Sequence, residues 1–149
     1  MKRETVEKIR EFNRFYMPAM DLLGNHYLGS EYSVPEARVF FEIYKHSGCN
    51  AAHIAKTMNI DKSYLSRIIK NHEKNGYLIR KVSEKDSRVY NLYLTEKGKQ
   101  KTEDLIQKSN QQIEELIQPL QQSECDRLQE ALNMVMNILE KCGERGEEV

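Results

Sequence analysis

A mainly α fold with one small β-hairpin is what this sequence predicts, a compact helical unit with long helices on either side of it. Three observations carry that reading. Apolar residues recur at steps of three and four over most of the chain. Only two short runs, around residues 77–82 and 88–94, alternate as strands do. Between Asp61 and Lys101 there are eleven Lys/Arg against five Asp/Glu, a net of +6, whereas residues 102–149 carry four against eleven, a net of −7. The overall charge of zero therefore conceals a local basic patch of the kind that binds phosphate backbones.

The elements follow in order. Val6, Ile9, Phe12, Tyr16, Ala19 and Leu23 form one stripe of a first helix over residues 4–23, with Pro18 set to kink or split it. Gly24 and Gly29 mark a loop. Pro35 suits the first turn of a second helix that buries Ala37, Phe40, Phe41 and Tyr44 and ends at Gly48. Asn50 caps a short helix from Ala51 to Met58, and Asp61 caps the next, from Lys62 to about Asn75, which Gly76 stops. Two short helices joined by the turn Asn59-Ile60-Asp61 make a helix-turn-helix.

Tyr77–Val82 and Arg88–Leu94, joined by Ser83-Glu84-Lys85-Asp86-Ser87, form the hairpin. Thr95 caps a long helix from about Glu96 to Gln118, which Pro119 ends. Ser123, with Asp126 three residues on, caps a last helix lined by Leu128, Leu132, Val135 and Leu139, and the tail Gly143–Val149 is expected to fray. The expected organisation is residues 1–32 as an N-terminal dimerisation helix, 33–98 as the helix-turn-helix with its hairpin, and 99–149 as C-terminal dimerisation helices. Apolar faces at both ends of the chain have little core of their own to cover, so a twofold homodimer is the economical way to bury them.

Chemistry concentrates in the fourth helix and the hairpin tip. Leu65, Ile68, Ile69 and His72 share one face of that helix, which leaves Ser63, Tyr64, Ser66, Arg67, Lys70, Asn71 and Lys74 on the other. Arginine forks onto a guanine edge and asparagine onto an adenine edge, while serine and lysine suit phosphates. A helix of this length spans roughly 21 Å at about 1.5 Å per residue, which fits a major groove. At the tip, Lys85, Asp86, Ser87 and Arg88 stand together. Asp86 can hold the Arg88 guanidinium in place for the narrow, negative minor groove.

These residues carry a family resemblance. The stretch HIAKTMNIDKSYLSRIIKNHEKNGYLIRK and the following SEKDSRVYNLYLTEKG resemble the MarR family of bacterial transcriptional regulators. Asp86-Ser87-Arg88 matches that family's Asp-x-Arg wing motif, and Leu94-Thr95-Glu96-Lys97-Gly98 its Leu-Thr-x-x-Gly ending. The resemblance implies a winged helix-turn-helix homodimer on double-stranded DNA. Recognition helices would lie in successive major grooves and wing arginines in flanking minor grooves of a pseudo-palindromic operator. It also implies repression, relieved by a small aromatic or anionic effector in a crevice that would use Tyr16, Met20, His26 and Tyr27.

Other functions are weaker readings. A winged-helix module for protein interaction conflicts with so many exposed lysines. No phosphate-cradling loop, nucleophile elbow or carboxylate pair points to an enzyme. No cofactor is expected. His46, Cys49 and His53 space as H-x2-C-x3-H, but no fourth ligand is evident nearby, so no metal is expected either. Cys49, Cys125 and Cys142 are odd in number and widely spaced, the pattern of free thiols. The family resembled includes a subgroup that senses peroxide through a first-helix cysteine, and this chain departs from it, with no cysteine before Cys49. A redox- or metal-responsive regulator is the remaining variant. Neither a membrane span nor a signal segment is evident, and a cytoplasmic location is expected.

Overall fold

A computed structural model describes residues 1–144 as six α-helices and one antiparallel hairpin. The order is α1 (Lys2–Ala19), α2 (Val34–Lys45), α3 (Ala51–Met58), α4 (Lys62–Lys74), β1 (Leu78–Val82), β2 (Tyr90–Leu94), α5 (Glu96–Ile117) and α6 (Gln122–Glu144). A turn of 3-10 helix at Tyr27–Gly29 precedes α2. Residues 1–109 form one compact unit and residues from 110 onward a second. The expected 33–98 segment lies wholly in the first unit, together with residues 1–32 and the start of α5.

The first unit owes its stability to a core drawn from every element between α2 and α5. Val39, Phe40 and Ile43 of α2, Ile54 of α3, Leu65, Ile68 and Ile69 of α4, Leu78 and Leu92 of the hairpin, and Leu105 of α5 are all buried. At its centre Phe40 stacks on His72 at 3.9 Å and meets Tyr32 and Tyr77 edge-on. Ser33 and Glu36 close a capping box at the start of α2, satisfying backbone donors that the helix itself cannot. Asn50 caps α3 through the His53 amide, and Asn59 in the left-handed region ends it.

Several expectations need correction. Helix α1 ends at Ala19 rather than near Leu23, because Pro18 lies in its last turn and Asp21 adopts a positive φ of 55° just beyond. On α2 the buried face is Ala37, Val39, Phe40 and Ile43, while Phe41 and Tyr44 are exposed. Both sets keep helical spacing, and packing against the rest of the core selects the side that is buried. Helix α2 stops at Lys45, before Gly48. That glycine instead makes a tight turn at φ 86°, where a Cβ would stand 3.3 Å from the Tyr93 hydroxyl. Its N–H donates to the Leu92 carbonyl, and the Leu92 N–H donates to that of Cys49, so residues 48–49 pair with β2.

The hairpin pairs Leu78 with Leu94 and Val82 with Tyr90, so the second strand begins two residues later than expected. Arg88 sits in the connecting turn because its N–H donates to the Asp86 carboxylate and the Val89 N–H to the Asp86 carbonyl. Where the hairpin meets α5, the Thr95 hydroxyl donates to the Gly76 carbonyl at 2.6 Å and accepts from the Gly98 N–H at 3.1 Å. A Cβ on Gly98 would collide with the Tyr77 carbonyl, which is the physical reason for glycine at the end of the Leu-Thr-x-x-Gly run.

In the second unit, α6 starts at Gln122, two residues earlier than a cap at Ser123 would have it. The Glu124 carboxylate accepts the Gln121 N–H, the reach-back role expected of Asp126, and the cap position falls to Gln121 instead of Ser123. Gly143, the start of the expected frayed tail, lies inside α6. Residues 145–149 lie outside the described residues.

Candidate nucleic-acid interface

Helix α4 is fixed at both ends and along one side. The Asp61 carboxylate accepts the Ser63 and Tyr64 amides at 3.0 and 3.1 Å, while Gly76 at φ 78° turns the chain into β1. Leu65, Ile68, Ile69 and His72 are all buried, as the spacing predicts. Ser63, Ser66, Arg67, Lys70, Asn71 and Lys74 are all exposed. Tyr64 departs from the expectation: it is half buried against the core, since it stands four residues before Ile68 and shares that flank of the helix. The Arg67 guanidinium lies 5.8 Å from its ring.

The hairpin adds a second cationic element beside the helix. Arg88 is 89% exposed in its side chain, and Asp86 holds it by a two-pronged bond, Nε to Oδ1 at 3.1 Å and Nη2 to Oδ2 at 3.3 Å. That side-chain hydrogen bond, with the Arg88 amide, holds the Asp86 carboxyl below the usual carboxylate range. Lys85 and Ser87 stand exposed at the same tip, where the Lys85 N–H donates to Ser83. The arginine is thereby presented with its charge outward and its orientation restricted.

Between α4 and the hairpin lies a groove of about 310 Å³, lined in part by Lys62, Ser66, Lys70, Arg80, Arg88 and Tyr90. Arg80 stands outside the residues expected from the sequence. Its guanidinium forks onto Glu73 with both bonds at 3.0 Å, which ties β1 to α4, and it lies 5.2 Å from the Tyr90 ring. The bond to Glu73 raises its already high pKa further. The signal was available: alternation puts Arg80 on the same strand face as buried Leu78.

The four residues expected at an effector crevice fall into two segments. Tyr16 and Met20 lie at the end of α1, with Tyr16 stacked on Phe12 at 5.2 Å. His26 and Tyr27 occupy the following loop, where His26 Nδ1 lies 3.1 Å from the Ser30 carbonyl and the Tyr27 N–H donates to Tyr32. The bonds of each pair stay within or beside its own segment. Of the cysteines, Cys142 is exposed, and Cys49 and Cys125 are half buried. Burial, with a smaller contribution from the charge of Glu42, pushes the Cys49 thiol up.

A helix-turn-helix whose second helix bares a polar and cationic face, followed by a hairpin with an outward arginine, defines a winged helix-turn-helix. Residues 31–89 match the model of the MarR family. Solved structures share the fold. A MarR transcriptional regulator from Methanosarcina mazei Go1 superposes with a TM-score of 0.74 at 23% identity, over 89% of this chain and 99% of that one. FabT from Streptococcus pneumoniae, in complex with DNA, gives 0.70 at 22% identity, over 95% and 98%. A mutant MarR from E. coli, complexed with operator DNA, gives 0.72 at 22% identity, over 91% and 97%. No curated protein matches the chain significantly.

Proposed function

We propose that this protein is a sequence-specific regulator of transcription that binds double-stranded DNA as a homodimer and represses from a pseudo-palindromic operator. The observation that carries the proposal is the exposed cationic face of α4, with Arg67, Lys70 and Lys74, whose Lys70 shares a groove with the Asp86-held Arg88 of the wing. Arg67 and Asn71 are the base readers; Ser63, Ser66, Lys70 and Lys74 position the helix on phosphates. Arg88, with Lys85, Asp86 and Ser87 around it, enters the flanking minor groove. The DNA bound to two proteins of the same fold supports this reading.

Dimerisation has its own support. Among the described residues none of α1 or α6 is buried, and Val6, Ile9, Phe12, Leu128, Leu132 and Val135 leave apolar stripes exposed that a second copy would cover. Half-sites should then lie about one helical turn apart. Release by a small aromatic or anionic effector and action in the cytoplasm complete the proposal. Among the described residues no helix is long and apolar enough to cross a membrane. The reading assigns the protein no catalytic step.

Sites selected from random duplexes supply the test. Arg67→Ala should cost about 1–3 kcal/mol and relax preference at one symmetric pair of positions. Arg88→Ala should weaken binding to every duplex and flatten the salt dependence, by a slope of about 0.9 if one phosphate contact is lost. Affinity and slope unchanged in both variants would overturn the assignment.

A further inference from the structure

The geometry points to a binding site for a zinc-class divalent cation at the junction of α2 and α3, formed by Glu42, His46 and His53. One ligand atom from each lies within 4.8 Å of the other two. The arrangement has a simple origin. Glu42 and His46 are four residues apart at the end of α2 and project from one side of it. His53 stands in the first turn of α3, and the intervening turn through Gly48 brings its ring to 5.2 Å from that of His46.

The donor chemistry suits a borderline metal. Two imidazoles and one carboxylate are the ligand set of open zinc sites, with a fourth position left to solvent. Tetrahedral ligands at about 2.1 Å from zinc stand about 3.4 Å apart. The two imidazoles are exposed, so modest rotation of their side chains can close the remaining distance. Glu42 is the rigid member: it is buried, and Arg38 Nε donates to its Oε1 at 2.7 Å. Such an outer partner orients a ligating carboxylate. In the spacing H-x2-C-x3-H the sulfur looks like the central ligand. In the folded chain Glu42, which lies outside that motif, takes the third place.

An ion here would brace the α2–α3 turn at the point where residues 48–49 pair with β2. The site is independent of the DNA-binding proposal and is tested without DNA. Chelator-stripped, untagged protein is titrated with zinc against a chromophoric indicator. One zinc per chain is expected, together with a higher thermal midpoint. His46→Ala and His53→Ala should each weaken binding at least about tenfold and abolish the midpoint shift. Both positions are exposed, so circular dichroism should show folded variants. His26→Ala should leave the affinity unchanged. Cobalt in place of zinc should give the intense visible bands of a tetrahedral site without a sulfur-to-cobalt charge-transfer band. The site is refuted by absence of saturable binding, by binding that survives the double variant, or by a sulfur band that makes Cys49 a ligand.

Discussion

Helices α4 and α6 carry the same kind of apolar stripe and meet opposite fates. On α4, Leu65, Ile68 and Ile69 are at most 4% exposed. On α6, Leu128, Leu132, Val135 and Leu139 lie between 37% and 49%. The two stripes are equally legible as periodicity. What separates them is supply: α4 has α2, α3 and the hairpin to pack on inside one unit, and α6 has no comparable core. A stripe of this kind states which face wants covering. It does not state which surface covers it.

That contrast can be broken by substitution. Leu65→Ala should be the most damaging change, costing about 2–5 kcal/mol because it opens a cavity in a closely packed core. Urea unfolding would measure it; a cost near zero would mean that the α4 stripe is not core. Leu132→Glu should act differently, weakening self-association more than tenfold in sedimentation while the first unit keeps its unfolding transition. A variant that stays dimeric but melts early would make α6 an ordinary core helix.

The smallest effect is a titration. His72 Nε2 donates to the Glu36 carbonyl at 2.8 Å, and Nδ1 is buried with no partner among the described residues. Burial, opposed by that hydrogen bond and by nearby carboxylates, lowers its pKa below the usual 6.5. The unfolded chain therefore takes up a proton that the folded one resists. The stability is fully present above about pH 6.5 and falls as pH drops below it toward the folded pKa. Thermal midpoints measured from pH 7.5 to 5.5 should decline, and His72→Gln, which cannot titrate, should flatten the decline. An equal slope in both proteins would remove His72 as the cause. Carboxylates with lowered pKa, such as Glu31, act only at more acidic pH.

Much of the geometry of the candidate surface is legible in the sequence. Arg67, Lys70, Asn71 and Lys74 follow from the phase of Leu65, Ile68, Ile69 and His72, and the Asp86–Arg88 pair follows from two residues of spacing in a turn. These are local relations, and local geometry is what a sequence encodes most plainly. Arg80 escapes such reading because its partner Glu73 lies on a different element, and the half-burial of Tyr64 escapes it because a flanking position on a helix is settled by the neighbours it meets.

The helical phases, the caps at Asn50, Asp61 and Thr95, the order of helix-turn-helix and wing, and the segregation of charge are all written in the amino-acid order, since each depends on residues within a few positions of one another. Folding in three dimensions was needed to turn Phe41 and Tyr44 outward, to dock the Gly48 backbone on β2, to bring the Tyr77 carbonyl over Gly98, and to join Glu42 to His46 and His53. Each of these depends on where a separate segment arrives in space, and packing sets that position through contacts between residues far apart in the chain.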